Sequence, residues 1–290
     1  MAQMDGYRLL DAGDGGRLER FGDVLVARPA PGIATPRRTP RHWDAADLWF
    51  ERERGWSGPG LTMLSDGWAV HLAGLQMWLR PTETGQVGLF PEHARELDWL
   101  TSQAARRGGA RGSGAQPAPS DILHLFAYTG LATIALARSG AAVTHVDASR
   151  PTVAWARRNA TANGLDDRPI RWIVDDAASY VARESRRGRR YDGIVLDPPT
   201  YGHGSSRRSW HLATDLSTLL VACRSILRDD GFMLLTAHTE GYGPERLSAI
   251  VDSAFAGMGR GTVTIGELGT TASSGVTLRL GAVVRLDRAG

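Results

Sequence analysis

The stretch Ile122-Leu-His-Leu-Phe-Ala-Tyr-Thr-Gly130, with Leu131-Ala-Thr-Ile-Ala-Leu-Ala-Arg138 and Ala142-Val-Thr-His-Val-Asp147 after it, decides the fold. A short apolar run ending in a small-residue turn, then helical periodicity, then a β-branched run is the pattern of a strand–helix–strand unit. The first strand is expected over 122–126, the helix over 129–138 and the second strand over 142–146. The pattern repeats downstream. Ser149-Arg-Pro151 supplies a capping hydroxyl and a first-turn proline to a helix that closes at Asn163-Gly164. Residues 170–174, 191–196 and 231–236 read as further strands, with helices expected around 178–187, 212–227 and 244–255. Two β-rich stretches, 262–265 and 276–285, finish the chain. Five β-α units and a terminal strand pair predict an α/β, Rossmann-like fold: a mostly parallel sheet with helices on both faces.

Open α/β sheets bind ligands beyond the carboxyl ends of their strands. The first strand delivers Phe126, Ala127, Tyr128, Thr129 and Gly130 there, and the second delivers Asp147, Ala148 and Ser149. The third delivers Asp175, Asp176 and Ala177, and the fourth Asp197, Pro198, Pro199, Thr200 and Tyr201. Acids thus end three of four successive strands. Each alone reads equally well as a helix cap, but the joint placement points to a ligand. A carboxylate ending the second strand suits a ribose diol, because it can accept from both hydroxyls. Phe-Ala-Tyr-Thr-Gly lacks two glycines of a dinucleotide-binding turn, and a phosphate-cradling P-loop needs a lysine, of which the chain has none. A nucleoside without phosphates remains, and S-adenosylmethionine (SAM) is the common ligand of that kind on such a sheet.

Six strings stand in consistent order and spacing: Leu125-Phe-Ala-Tyr-Thr-Gly130, His145-Val-Asp-Ala-Ser149, Trp155-Ala-Arg-Arg-Asn159, Ile173-Val-Asp-Asp-Ala177, Tyr191-Asp-Gly-Ile-Val-Leu-Asp-Pro-Pro199 and Leu234-Leu-Thr236. Over residues 122–241 the chain resembles the catalytic domain of class I SAM-dependent methyltransferases. It is most similar to the large-subunit ribosomal RNA cytosine-C5 methyltransferase group. Upstream, Gly88-Leu-Phe-Pro-Glu92 resembles the segment that packs beside the cofactor in these enzymes. The resemblance implies that residues 126–130 face the methionine part of SAM and that Asp147, with Ala148 and Ser149, holds the ribose. It implies that Asp176 and Ala177 meet the adenine, and that Phe90 and Pro91 flank the cofactor. Asp197, Pro198 and Pro199 would line the methyl-transfer pocket, with Tyr201 or Trp210 able to stack on a planar substrate.

One departure bears on mechanism. The cytosine-C5 relatives carry a nucleophilic cysteine in a Thr-Phe-Ser-Cys-Ser string, because carbon 5 becomes reactive only after covalent addition at carbon 6. Here the string is Thr236-Ala-His-Thr-Glu240, with Thr239 at the cysteine position. The single cysteine, Cys223, lies in the apolar helical run 219–227 and reads as a buried small residue. Transfer to nitrogen or oxygen needs only positioning and a proton acceptor. Asp197 is the candidate, with His203 and His238 as secondary ones.

The chain has 290 residues, 42% hydrophobic and 22% charged, as expected of a soluble globular protein. No apolar run approaches the roughly 18 residues that cross a bilayer. The acidic start is unlike a signal peptide, and one cysteine forms neither a disulfide nor a thiolate metal cluster. A cytoplasmic protein without a metal site is expected. Net charge is only +3, with arginine as the sole cation besides histidine, so a strongly cationic nucleic-acid surface is not indicated. Local patches remain: Arg183-Glu-Ser-Arg-Arg-Gly-Arg-Arg190, equally a solvated loop, and Arg207-Arg208 beside the Asp197 motif. Either could meet RNA phosphates. The Gly/Pro-rich segment 106–120 is expected to link a β-rich module, residues 1–105, to the methyltransferase domain, residues 121–290. Six of nine tryptophans lie in that module and read as its core ahead of a base-stacking surface. The reading is therefore an enzyme that methylates RNA, ribosomal RNA above all, at a nitrogen, oxygen or carbon acceptor. The spacing from Asp197-Pro-Pro199 to Tyr201 matches the cytosine group and leaves the acceptor atom open. The alternatives are a small-molecule N- or O-methyltransferase and a SAM-binding protein without catalysis.

Overall fold

The computed structural model describes residues 6–109, 118–203, 209–257 and 261–288. The chain forms two compact units, Met1–Arg95 with Gly269–Leu280, and Glu96–Leu268 with Gly281–Gly290.

In the first unit, strands β1 (Tyr7–Gly13), β2 (Gly16–Phe21), β3 (Val24–Pro29), β4 (Leu48–Glu51) and β5 (Gly55–Ser57) form one sheet in that order. Only the β3–β4 pair is parallel. Short helices α1 (Pro40–Trp43) and α2 (Leu61–Leu64) flank β4 and β5 in sequence. Strands β6 (Trp68–Leu72) and β7 (Leu75–Leu79) form a hairpin, with Trp68, Val70 and Leu72 buried and the residues between them exposed, the two-residue period of a half-buried strand. Two of the six tryptophans expected as core, Trp43 and Trp68, are buried, while Trp49, Trp56, Trp78 and Trp99 are half-buried, Trp99 in the second unit. Trp43 packs with Leu18, Ala27 and Ala46, its indole N–H donating to Asp11 Oδ2 at 3.0 Å, and buried Trp68 donates to the Phe21 carbonyl at 3.1 Å.

The second unit opens with α3 (Leu97–Arg107), which continues through Arg106 and Arg107, the first two residues of the expected linker. Their guanidinium groups bind the two oxygens of Asp287 at 2.5 and 2.6 Å, which accounts for the extension. Residues 110–117 of that linker lie outside the described residues.

The β-α alternation then runs β8 (Asp121–Leu125), α4 (Leu131–Arg138), β9 (Ala142–Asp147), α5 (Arg150–Ala162), β10 (Ile170–Val174), α6 (Ala177–Arg186) and β11 (Tyr191–Leu196). A hairpin, β12 (Tyr201–His203) with β13 (Ser209–His211), precedes α7 (Leu212–Ile226); the sequence reading did not include it. Strand β14 (Leu227–Ala237), α8 (Pro244–Ala254), β15 (Thr262–Thr271) and β16 (Thr277–Asp287) follow. Ser149 caps α5 as expected, its side chain accepting from Thr152 N.

The sheet order is β10-β9-β8-β11-β14-β16-β15, parallel from β10 to β14 with β16 antiparallel to β14. The expected Rossmann-like architecture is therefore present. Strand β11 is buried throughout, as a central parallel strand covered on both faces must be. Strand order reverses between β8 and β11, so the carboxyl ends of β8, β9, β10 and β11 share one edge at the switch point. No helix among the described residues is long and apolar enough to cross a membrane.

Candidate functional site

The turn after β8 has an unusual backbone. Phe126 (φ 52°), Tyr128 (φ 50°) and Gly130 (φ 90°) all lie in the left-handed region. Two of these are non-glycine residues, each costing about 1–3 kcal/mol, the kind of strain that persists where a ligand loop is held by its surroundings. Three bonds do the holding. Ala127 N donates to the Val146 carbonyl at 3.1 Å, Tyr128 N to Asp147 Oδ2 at 2.9 Å, and Asn159 Nδ2 of α5 to the Thr129 carbonyl at 2.9 Å. Gly130 is required twice over: its φ disfavours a side chain, and a Cβ would sit 3.2 Å from the Ala156 Cβ.

Asp147, at the end of β9, takes Tyr128 N on one oxygen and Ser149 N on the other, both at 2.9 Å. Burial pushes its carboxyl above the usual aspartate range, and the two N–H bonds offset this only in part. A carboxylate oxygen has more than one acceptor site, so each can still receive a hydroxyl. Ala148 stands half-buried between Asp147 and the exposed cap Ser149.

At the end of β10 the two acids divide their work. Asp175 pairs with Arg183 and accepts from Asp176 N at 2.8 Å. Asp176 caps α6 through Oδ1, accepting from Ser179 N at 2.8 Å, with buried Ala177 opening the helix. A cleft of about 390 Å³ begins at Asp176 and Ser179 and runs past Trp210 along Asp215 and Leu219 of α7.

At the end of β11, Asp197 Oδ1 accepts from Thr236 Oγ1 at 2.6 Å and lies 3.5 Å from His238 Nε2. Thr200 and Thr239 bond hydroxyl to hydroxyl at 2.7 Å, joining the loops after β11 and β14. Pro198 is buried and Pro199 exposed; the Pro199 carbonyl accepts from Trp210 Nε1 at 2.8 Å, and the Trp210 ring packs 5.0 Å from that of Phe126. Trp210 is therefore a packed support. Tyr201 is 72% exposed and meets the His211 ring edge-on at 5.1 Å.

Sequence reasoning thus grouped the residues after β8, β9, β10 and β11 at one sheet edge, where they stand. Phe90 and Pro91 belong to the first unit, Pro91 buried at the start of the 3-10 turn Pro91–Glu96 and the Phe90 ring 6.0 Å from that of His93. Missed were the tether from Asn159, although its string had been singled out, and the Thr236–Asp197 and Thr200–Thr239 bonds. Register alone would have found the former of these bonds, since Leu196 pairs with Leu235 one residue before it.

The basic run 183–190 is mostly committed elsewhere. Arg183 pairs with Asp175, Arg187 with Glu184 at 2.9 Å, and Arg189 with Asp121 at 2.7 Å. Its last residues precede β11 and so lie at the sheet edge opposite the site. Arg207 and Arg208, and the side chain of His203, lie outside the described residues. Cys223 is fully buried in α7, and burial pushes its thiol up to about 12.

No protein-family model matches the chain. It is 32% identical over 171 residues, 58% of its length, to the ribosomal RNA large subunit methyltransferase K/L of Methylococcus capsulatus. That match spans 21% of the relative, so the matched part of the chain corresponds to about a fifth of that protein. Among solved structures it resembles one from Streptococcus mutans proposed to be a SAM-dependent methyltransferase, at 17% identity and a TM-score of 0.76 over 99% of this chain and 76% of that one, a likeness of fold. It is also similar to the SAM-dependent methyltransferase from Agrobacterium tumefaciens, 32% identical with a TM-score of 0.90 over 99% of this chain and 92% of that one. At that identity and coverage, the chain belongs to the SAM-dependent methyltransferases.

Proposed function

We propose that the protein transfers the methyl group of SAM to RNA, in particular ribosomal RNA. The observation that carries the cofactor part is Asp147: a desolvated carboxylate with two backbone donors and no ion-pair partner among the causes of its raised pKa. A vicinal diol offers such a carboxylate two hydroxyl donors at once. The strained turn Phe126–Gly130 would face the methionine part, and Asp176 with the Ala177 N–H at the start of α6 would meet the adenine. When bound, SAM supplies an electrophilic methyl on sulfonium. The chain's task is to orient the acceptor and receive a proton, and Asp197, Pro198 and Pro199 line the place where that happens.

Support for RNA comes from the similarity to a ribosomal RNA methyltransferase over more than half of the chain and from exposed Tyr201 beside the Asp197 motif. Aromatic faces hold unstacked bases at about 1–3 kcal/mol each. The same reading puts the protein in the cytoplasm. A small-molecule substrate is the second reading, favoured by the near-balanced charge and by arginines engaged in ion pairs. Transfer of labelled methyl to ribosomal RNA, run beside a metabolite extract, tests the choice. Label in RNA supports the proposal, label in metabolites alone contradicts it, and tight cofactor binding without transfer points to a non-catalytic role.

A further inference from the structure

We infer that Asp197 and His238 together form the proton-accepting pair of the transfer, and that the acceptor atom is a nitrogen or oxygen bearing hydrogen. This rests on the methyl transfer proposed above. The two residues leave adjacent parallel strands, β11 and β14, with His238 Nε2 at 3.5 Å from Asp197 Oδ1. Thr236 Oγ1 fixes that same oxygen at 2.6 Å, so the carboxylate is aimed before any substrate arrives. The imidazole is aimed too. A Cβ on Gly281 of β16 would lie 3.2 Å from His238 Nδ1 and 2.4 Å from the Ala237 carbonyl, so it is the bare glycine that lets the ring seat against β16.

The groups that would serve a carbon acceptor are spent. The Cys223 thiol is enclosed in α7 with its pKa raised, and the Thr239 hydroxyl is bonded to that of Thr200. With no thiolate to add to carbon 6, carbon 5 of a pyrimidine stays unreactive. A nitrogen or oxygen already has its lone pair. That pair forms the bond to the methyl carbon, the carbon–sulfur bond breaks with its electrons going to sulfur, and the acceptor's proton passes to Asp197–His238. The product is an imidazolium–carboxylate pair, which closes to a charge-assisted contact and later returns the proton to water.

The test uses the full-length protein as wild type, His238→Ala and His238→Gln. It reads kcat and KM with labelled SAM, affinity for S-adenosylhomocysteine by calorimetry, rescue by added imidazole, and the position of the methyl in the hydrolysed product. The pair predicts a kcat loss of about 100-fold or more with unchanged S-adenosylhomocysteine affinity, partial rescue of His238→Ala by imidazole, and methyl on nitrogen or oxygen. A kcat within about threefold of wild type in either folded variant, or methyl on carbon, overturns it. If metabolites alone take label, the RNA reading fails while the same variants on that metabolite still judge the pair.

Discussion

Asn159 Nδ2 donates to the Thr129 carbonyl at 2.9 Å, joining α5 to the turn after β8 across thirty residues of sequence. Asn159 is fully buried, and Thr129 nearly so, so the carbonyl has no access to solvent as a substitute donor. Leaving a buried acceptor unpaired costs about 1–3 kcal/mol, and here the cost falls on the strained backbone at Phe126 and Tyr128. Asn159→Ala should weaken S-adenosylhomocysteine binding by about 10-fold while leaving the far-ultraviolet circular dichroism unchanged. Calorimetric titration of variant and wild type decides the matter, and equal affinities would separate the tether from the ligand loop.

Asp147 makes cofactor binding depend on pH with a definite sign. Burial raises its pKa, so the carboxylate that accepts ribose hydroxyls is lost at a higher pH than an ordinary aspartate would be. Affinity for S-adenosylhomocysteine should fall as pH drops through that raised value, and Asp147→Asn should bind more weakly and show a flatter profile. Calorimetry from neutral to mildly acid pH checks both. A wild-type profile flat into the range of an ordinary carboxylate would remove Asp147 from the ribose.

Asp11, in the first unit, carries the opposite shift. Burial disfavours its charge, but hydrogen bonds from the Trp43 indole and from Thr39 outweigh this and hold the carboxyl down at about 2, against the ordinary 3.8. A depressed folded-state pKa stabilises above the unfolded value, and that contribution disappears as pH falls from about 4 to 2, about 2 kcal/mol in all. Urea denaturation of the full chain over that range should show the loss. Asp11→Asn should be less stable at neutral pH and should lose less on acidification; an unchanged slope would contradict the assignment.

The β-α alternation was legible because the central parallel strands carry apolar runs, as Ile194-Val-Leu196 does in the strand Tyr191–Leu196, which is buried from end to end. The residues at the strand ends followed from topology alone. Less legible was whatever depends on contacts distant in sequence. The hairpin Tyr201–His203 with Ser209–His211 has only three residues a side, too few to show a period. Residues 269–280 rejoin the first unit, where Ser273 N donates to the Leu9 carbonyl at 3.0 Å, a pairing across more than 260 positions that no local pattern encodes. The aspartates at 175 and 176 looked alike in sequence, yet one pairs with Arg183 and the other caps α6, a division set by side-chain direction.

Cys223 offers a check on the chemistry from the opposite side. Enclosed among apolar neighbours of α7 with its thiol pushed up to about 12, it stands outside the transfer proposed for Asp197 and His238. Cys223→Ala should keep wild-type kcat, and the native protein should resist thiol-modifying reagents until unfolded. Loss of transfer in a folded Cys223→Ala protein would return the covalent route to consideration.

The most direct test of the whole account is a crystal structure with S-adenosylhomocysteine bound. The predicted result has both ribose hydroxyls within hydrogen-bond distance of Asp147 and the sulfur facing the Asp197–His238 end of β11 and β14. A ligand seated away from the carboxyl edge of β8 and β9, or a ribose that leaves Asp147 untouched, would contradict it.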